Sequence, residues 1–499
     1  MARTLLASSA AENPERGHGR PDSLGFSAMT DVVTVNGEPL SLDGVDPNET
    51  LLWFLRRHGL TGAKEGCAEG ECGACAVALL RVHDGGARYE AVNSCLVLAA
   101  AMAGQELVTV EGIATGETLH PVQDAMVQEG GSQCGYCTPG FIVSLFAEYY
   151  RPGRDGYDPE AIGGNLCRCT GYRPIRDVAR AMEPVPEVGE GDRFAARLVQ
   201  GAAPLESVSP GSVGEGERRF YRPETLAELY DVLGREPDAK VINGGTDVVV
   251  EVNQRDARFD VLVSLEGVAE LCRWDDADDA LTIGAGVSLS RVEERVHGML
   301  PLLEELLPLF SSRLIRNRAT FGGNLANASP IGDGAPALLA LGAEVVLGSA
   351  KGERTEALDG FFTGYRQTVL APGEVIVAVR IPKPFPQLGR FYKVAKREMD
   401  DISTVAAAFA IDVDDDGQVT SARLAYGGVA ATPIRAHDAE RSLVGAPFTA
   451  SAVADACAVL KKTLNPISDH RGSEKYRRAM VEQLLRKFHA ETQMGGVLP

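Results

Sequence analysis

Long apolar runs are missing from this sequence: none approaches the roughly 18 residues of a membrane-spanning helix, and Leu96 to Gly104 is typical of the longest. A soluble chain is expected. Positive charge is short, with 49 Lys and Arg against 69 Asp and Glu and a net charge of -20. That balance disfavours nucleic acid or an anionic membrane as the main partner, while leaving local basic patches open. Cysteine is scarce outside one stretch, because eight of the ten lie between Cys67 and Cys169 and only Cys272 and Cys457 fall beyond it. So large a chain without a secretory signal does not suit a disulfide framework, and a reduced, cytoplasmic setting is expected. The N-terminus has no hydrophobic signal core, since Leu5 and Leu6 are followed by Glu12, Glu15 and Arg16. Residues 1–28 read as a flexible extension, with Met29 a second candidate start.

What remains is a globular composition, 44% apolar and 24% charged, over 499 residues, which calls for several domains. No internal repeat is visible. Val32 to Val35, Asn36-Gly37 and Leu40 to Leu42 read as strand, type I′ turn and strand. A short helix over 48–57 follows, then a glycine-rich cysteine loop, and strands near 76–82, 89–92 and 107–110. Residues 29–113 are thus a small α+β domain. Helical signals run through 114–186, with Thr138-Pro139 expected as N-cap and first-turn proline. A Pro-, Gly-, Glu- and Ser-rich connection is expected over 187–217. Alternating helix and strand mark a mixed α/β domain over 218–386, including helical 289–310, and an α+β domain over 387–499. The expected fold class is α+β multidomain.

Cys67, Cys72 and Cys75 have C-x4-C-x2-C spacing with Cys95 twenty residues on, the plant-type arrangement for a 2Fe–2S cluster. Gly66, Gly70 and Gly73 let the backbone wrap a compact inorganic core. Cys134 and Cys137 form C-x2-C, and Cys167 and Cys169 form C-x-C in a second loop. Taken alone, this second foursome suits either a zinc ion or a cluster. Two double-glycine turns stand further along. Val241-Ile242-Asn243-Gly244-Gly245-Thr246-Asp247-Val248 is a strand entering a turn whose bare N–H groups can cradle a pyrophosphate, or a plain turn. Thr320-Phe321-Gly322-Gly323-Asn324 follows the basic Arg313, Arg316 and Arg318, so both turns look suited to phosphate. Neither is a Rossmann fingerprint; the nearest match, Gly332 to Ala337, does not follow a strand. Lys396 to Asp401 is a dense charge run that reads as a solvated loop.

Ferredoxin-type Cys67 to Cys95, Gln133-Cys-Gly-Tyr-Cys-Thr-Pro-Gly140 and Gly164-Asn-Leu-Cys-Arg-Cys-Thr-Gly-Tyr172 together resemble the two-cluster module of the molybdenum hydroxylase family. The resemblance spans almost everything after Met29. It implies a β-grasp 2Fe–2S domain, a helical-bundle 2Fe–2S domain and an FAD-binding domain with its own C-terminal domain. Clusters and flavin on one chain, with no molybdopterin domain, are similar to the small subunit in the bacterial xanthine dehydrogenase branch. The resemblance carries Val241 to Val248, Phe310, Thr320 to Asn324, Asp333, Ile376 and Lys393 onto FAD contacts. Phe321 stands where the family usually has isoleucine. The charge run is placed near the isoalloxazine, with Asp400 as a candidate there. The resemblance further implies electron transfer from purine oxidation at a partner's molybdenum cofactor, through both clusters to FAD and then to NAD+. No residue of this chain would then hydroxylate purine. A large molybdopterin-binding subunit would be the partner, in a heterotetramer or larger assembly of paired heterodimers, with no nucleic acid or membrane. Equivalent relays for an aldehyde or N-heterocycle enzyme, and a non-catalytic iron–sulfur protein, are the competing readings.

Overall fold

A computed structural model of the chain describes residues 32–83, 86–182, 191–201, 218–397 and 399–493. The proposed extension 1–28 and most of the proposed connection lie outside them. Strands β1 (Val32–Val35) and β2 (Glu38–Ser41) form the hairpin, with Asn36 and Gly37 at φ 56° and 89° as a type I′ turn needs. Helix α1 (Leu51–Arg57) starts at Thr50, whose hydroxyl accepts the Trp53 N–H. With β3 (Ala76–His83), β4 (Gly86–Asn93) and β5 (Glu106–Val108) they make a sheet of order β2-β1-β5-β3-β4, in which β1 and β5 run parallel. The strand expected to reach residue 110 stops at Val108. The Thr109 N–H turns to the Asn36 side chain at 2.9 Å, and Val110 opens a single turn, α2 (Val110–Ile113).

Strand β3 is buried on both faces, which explains its nearly unbroken apolar run. Val77 and Leu79 pack with Leu51, Phe54 and Leu55 of α1. Ala76, Ala78 and Leu80 pack with Phe141, Leu145 and Phe146 of the helical domain, the small alanines admitting a close helix. That domain holds α3 (Pro121–Gln128), α4 (Thr138–Tyr149) and α5 (Arg173–Ala181). Thr138 is not the N-cap of α4. Cys137 takes that place, its carbonyl accepting the Phe141 N–H, while the Thr138 hydroxyl bonds Ser132 at 2.8 Å. Within the expected connection lies a helix, α6 (Arg193–Gln200), whose Asp192 cap accepts from the Phe194 and Ala195 N–H groups. Its Phe194 sits edge-on to Tyr89, His120 and Phe146, so burial of one aromatic stabilises a helix that composition alone conceals.

His120 joins these pieces. Its Nδ1 accepts the Val122 N–H at 3.2 Å, so Nε2 carries the proton and donates to Tyr150 Oη at 3.0 Å; Tyr150 in turn donates to Asp192 at 2.7 Å. Burial holds the imidazole down at about 4, so it is neutral in the fold and charges more readily when unfolded. The unfolded chain then binds the extra proton between about pH 6.5 and 4, and stability falls as pH drops through that window, by up to about 3 kcal/mol. His120→Ser keeps a capping hydroxyl but removes this titration. Denaturant melts are expected to show a cost at pH 7 that shrinks at pH 5; an equal cost at both would refute the assignment.

The third region begins with a parallel unit. Strand β6 (Arg219–Tyr221), α7 (Leu226–Arg235), β7 (Lys240–Ile242), α8 (Val248–Arg255) and β8 (Val261–Ser264) give the order β6-β8-β7. There follow β9 (Trp274–Asp276), β10 (Ala280–Gly284) and α9 (Leu289–Val296). Helices α10 (Pro301–Leu306), α11 (Arg313–Arg316), α12 (Phe321–Ala326) and α13 (Gly334–Ala340) come next. The helical span expected over 289–310 is broken after Val296, because Gly298 takes φ 73° and Pro301 begins a new helix. Strands β11 (Glu344–Ser349) and β12 (Gly352–Ala357), a small hairpin of β13 (Phe362–Gly364) and β14 (Gln367–Thr368), and β15 (Val375–Pro382) follow; β12-β11-β15-β10-β9 is an antiparallel sheet. The last region is an antiparallel sheet of β16 (Leu388–Val394), β17 (Val405–Val413), β18 (Val419–Gly427) and β19 (Ile434–Arg435). It packs on α14 (His437–Leu443), α15 (Ala450–Thr463) and α16 (Glu474–Gln493) around Phe409, Tyr426 and Phe488. Among the described residues no helix is long and apolar enough to cross a membrane.

Candidate functional site

The eight clustered thiols fall into two foursomes, each made of two hydrogen-bonded pairs: Cys67 with Cys72 and Cys75 with Cys95, then Cys134 with Cys169 and Cys137 with Cys167. Two pairs per site suit two irons with two thiolates each. A zinc ion asks for four sulfurs around one point. The loop of the first foursome is a cradle: a Cβ on Gly66 would lie 2.7 Å from Cys72 Sγ. Its sulfurs also face backbone donors. The Cys67 thiol is drawn down to about 5, first by the hydrogen bond from Cys72, with the N–H groups of Glu69, Cys72 and Glu71 assisting. Such donors favour thiolate and metal binding. Ala68, beside Cys67, itself takes φ 58°.

In the second foursome the Thr170 hydroxyl and N–H lie 3.1 and 3.4 Å from Cys167 Sγ, and Tyr172 Oη accepts the Cys167 N–H at 2.9 Å. Burial and the neighbouring Cys167 push the Cys137 thiol up to about 12. The two loops touch. Leu166, next to Cys167, donates its N–H to the Cys72 carbonyl at 3.0 Å. Gly73 permits this approach: it takes φ 65°, and a Cβ there would lie 2.4 Å from both the Gly164 carbonyl and Asn165 Nδ2. Asn165 braces the junction by donating to Gly73 O at 3.2 Å and accepting from Ser144 at 2.7 Å.

On its other side the first loop meets α8, the helix that leaves the first double-glycine turn. Asn253 Nδ2 donates to the carbonyls of Ala68 and Cys95 at 2.9 and 2.8 Å, and Gln254 Nε2 to that of Cys67 at 2.8 Å. Sequence reasoning missed both amides. The turn itself requires Gly244, at φ 72°, because a Cβ would stand 2.0 Å from the Arg318 carbonyl. The two glycine turns are brought together: Asn243 Nδ2 reaches Ala285 O at 3.1 Å and Thr320 Oγ1 at 3.4 Å, and Thr320 caps α12 through the Gly323 N–H.

The remaining candidates extend from this pair of turns. A Cβ on Gly334 would lie 2.6 Å from Asn324 Oδ1, next to Asp333. Asp333 pairs with Lys393 at 3.1 Å and accepts from Ser403 at 2.6 Å, and Lys393 also donates to the carbonyl of Leu309, beside Phe310. Phe321 and Ile376 belong to the hydrophobic core, so their side chains serve packing. The buried oxygen Asn324 Oδ1 has no hydrogen-bond partner among the described residues, which fits a polar ligand at that position. Asp400 accepts from Ser311 at 3.0 Å, and burial pushes its carboxyl up to about 6, with the nearby Cys67 adding to the rise. Asp400 therefore lies between the first thiol loop and Phe310, whereas Arg397 and Asp401 of the same run pair in the solvated manner expected.

The arginines before the second glycine turn do something other than hold phosphate. Arg313 pairs with Asp158 at 2.6 Å, Arg316 with Glu160 and with Glu293 at 3.1 Å, and Arg318 with Glu266. They fasten the third region to the helical domain and to its own first turn.

Comparison with known proteins agrees with this layout. Residues 33–100 match a 2Fe-2S iron-sulfur cluster binding domain and 109–180 a [2Fe-2S] binding domain. Residues 215–384 match the FAD binding domain in molybdopterin dehydrogenase, and 390–492 the CO dehydrogenase flavoprotein C-terminal domain. The chain therefore has two 2Fe–2S domains and an FAD-binding domain. It is 34% identical over 476 residues to a xanthine dehydrogenase of Emericella nidulans, covering 83% of this chain and 35% of that protein. A nicotinate hydroxylase of the same fungus is 29% identical, over 91% of this chain and 40% of its own length. The chain thus spans about two-fifths or less of these curated relatives. A carbon monoxide dehydrogenase structure from Hydrogenophaga pseudoflava is 30% identical with a TM-score of 0.52, covering 55% of this chain and 96% of that one.

Proposed function

The chain belongs to the molybdenum hydroxylase family, and on that premise we propose that it is the iron–sulfur and flavin subunit of a xanthine dehydrogenase, carrying electrons from purine oxidation at a partner's molybdenum cofactor to NAD+. When bound, the clusters supply one-electron carriage and FAD converts between single electrons and hydride. Cys134, Cys137, Cys167 and Cys169 would hold the outer cluster, and Cys67, Cys72, Cys75 and Cys95 the inner one. Val241 to Val248 and Thr320 to Asn324 would hold the FAD diphosphate, with Asp333, Lys393 and Phe310 toward the ring and Ile376 packing behind.

The supporting observation is a single line of contacts. It runs from the exposed Cys134 and Cys169, through the Leu166 to Cys72 hydrogen bond, to the Asn253 and Gln254 amides and the turn at Gly244. Tyr136, Leu166 and Tyr172 are 49%, 39% and 40% exposed around the outer foursome, an apolar rim that a large molybdopterin-binding subunit would bury. Paired heterodimers would complete the assembly, in the cytoplasm. Isolation of the native complex is expected to yield that partner and NAD+-dependent oxidation of hypoxanthine and xanthine, with NADH-to-dye activity in this chain alone. Activity on aldehydes or N-heterocycles in place of purines would overturn the choice of substrate, a reading the nicotinate hydroxylase relative supports.

A further inference from the structure

Asn253 and Gln254 belong to α8, the helix that leaves the first double-glycine turn, yet their amides end on the loop of the first thiol foursome. The apolar side of α8 is anchored there too, because Val249 and Val252 are buried in one core with Cys75, Cys95 and Leu96. Asn253 follows Val249 by one helical turn and so emerges on that side. A Cβ on Gly245 would lie 2.9 Å from the Leu96 carbonyl, so the turn before the helix also presses on the loop. The two amides hold the peptides on either side of Ala68. Gln254 grips the Cys67 carbonyl at 2.8 Å and Asn253 the Ala68 carbonyl at 2.9 Å, and Asn253 also reaches the carbonyl of Cys95 at 2.8 Å. Between them Ala68 is left-handed, at φ 58°, a conformation that an alanine keeps only where its surroundings impose it. In a trans peptide the N–H lies opposite the C=O, and the N–H opposite the held Ala68 carbonyl is that of Glu69. It donates to Cys67 Sγ at 3.5 Å.

We propose that Asn253 and Gln254 are positioning residues through which the flavin domain raises the reduction potential of the cluster held by Cys67, Cys72, Cys75 and Cys95. The inference rests on that ligand assignment. Reduction adds negative charge to a cluster, so an N–H aimed at its sulfur favours the reduced form, and a carbonyl dipole left unpaired beside it favours the oxidised form. By fixing the carbonyls of Cys67, Ala68 and Cys95, the amides keep the Glu69 donor on sulfur and offset those dipoles. A carbonyl that accepts a hydrogen bond also polarises its peptide and strengthens the N–H on the far side. Both effects have the same sign, and both are lost when the amide is removed.

The test is a redox titration of the full chain, with clusters and flavin loaded, followed by spin resonance. The signal of the first foursome is identified as the one that persists in Cys134→Ser. In Asn253→Leu, which keeps the bulk and removes the donor, its midpoint should fall by about tenfold in the reduction equilibrium, ~59 mV for one electron. The midpoint of the second cluster should stay in place, with iron, acid-labile sulfide and flavin at wild-type levels. Gln254→Met should shift the same signal in the same direction by a smaller amount. If Asn253→Leu loses iron, Gln254→Met carries the test, since Gln254 is exposed and its replacement disturbs no core. An unmoved or raised midpoint at full iron content, or equal shifts in both clusters, would overturn the proposal. Absence of the first signal from the unaltered chain is a separate result, which would remove the ligand assignment and the proposal with it.

Discussion

Changing Cys134 to serine extinguishes one of the two paramagnetic signals expected from the dithionite-reduced protein, and leaves the other intact. Cys134 is an exposed thiol paired with Cys169, and a serine hydroxyl is a poorer, harder ligand for iron than a thiolate. The first foursome should survive, because Cys75 and Cys95 are buried in the ferredoxin-like core with Val77, Leu79 and α1, away from the altered loop. Flavin content and NADH-to-dye turnover should also persist, since the glycine turns and their braces are untouched. In the complex proposed above, the substrate-driven NAD+ reduction proposed for it should fall by ~100-fold or more, roughly 3 kcal/mol of activation free energy. Retention of both spin-resonance signals would remove Cys134 from the ligand set; parallel loss of dye reduction would show that the two ends of the chain are not separable.

Gly244→Val is expected to empty the flavin site while sparing both clusters. A β-branched residue at φ 72° is a strained outlier, and its Cβ would stand 2.0 Å from the Arg318 carbonyl. That carbonyl cannot retreat freely, because the Arg318 side chain is itself tied to Gly244 O at 2.9 Å and to Glu266. The turn must open, and the N–H groups that would cradle a diphosphate lose their alignment. Flavin released on denaturation should drop to about a tenth of the wild-type level or less, equivalent to roughly 1.4 kcal/mol or more in affinity at fixed flavin. Iron and acid-labile sulfide should stay at wild-type levels. Gly37→Ala is the contrast: its φ is 89°, nothing lies within 4 Å of the added methyl, and only turn strain is expected. Full flavin occupancy in the Gly244 variant would separate this turn from FAD binding.

The cysteine spacings were readable because each ligand loop is local: a cluster's geometry is imposed on a few consecutive residues, and C-x4-C-x2-C leaves little else for them to do. The hairpin at Asn36-Gly37, the short helix read over 48–57 and found at Leu51–Arg57, and the strand before the first glycine turn were legible for the same reason. Helix α6 was not. Its stability comes from Phe194 meeting His120 and Tyr89, and from Asp192 meeting Tyr150, across 42 residues or more. The role of Arg313, Arg316 and Arg318 was misjudged because a basic run beside a glycine pair looks the same whether it faces phosphate or a carboxylate on another domain.

Local thiol spacing therefore pointed to the first cluster by itself, whereas the second foursome and the glycine turns took their cofactors from the resemblance of whole motifs to a family. The fold alone sets how those sites meet. Asn253 holding a carbonyl 185 residues away, and Gly73 letting Leu166 reach Cys72, are contacts between surfaces that become neighbours when separate cores pack together. Hydrogen bonds and close approaches of that kind leave no periodicity or motif in the chain, because their partners are chosen by packing and not by position along it.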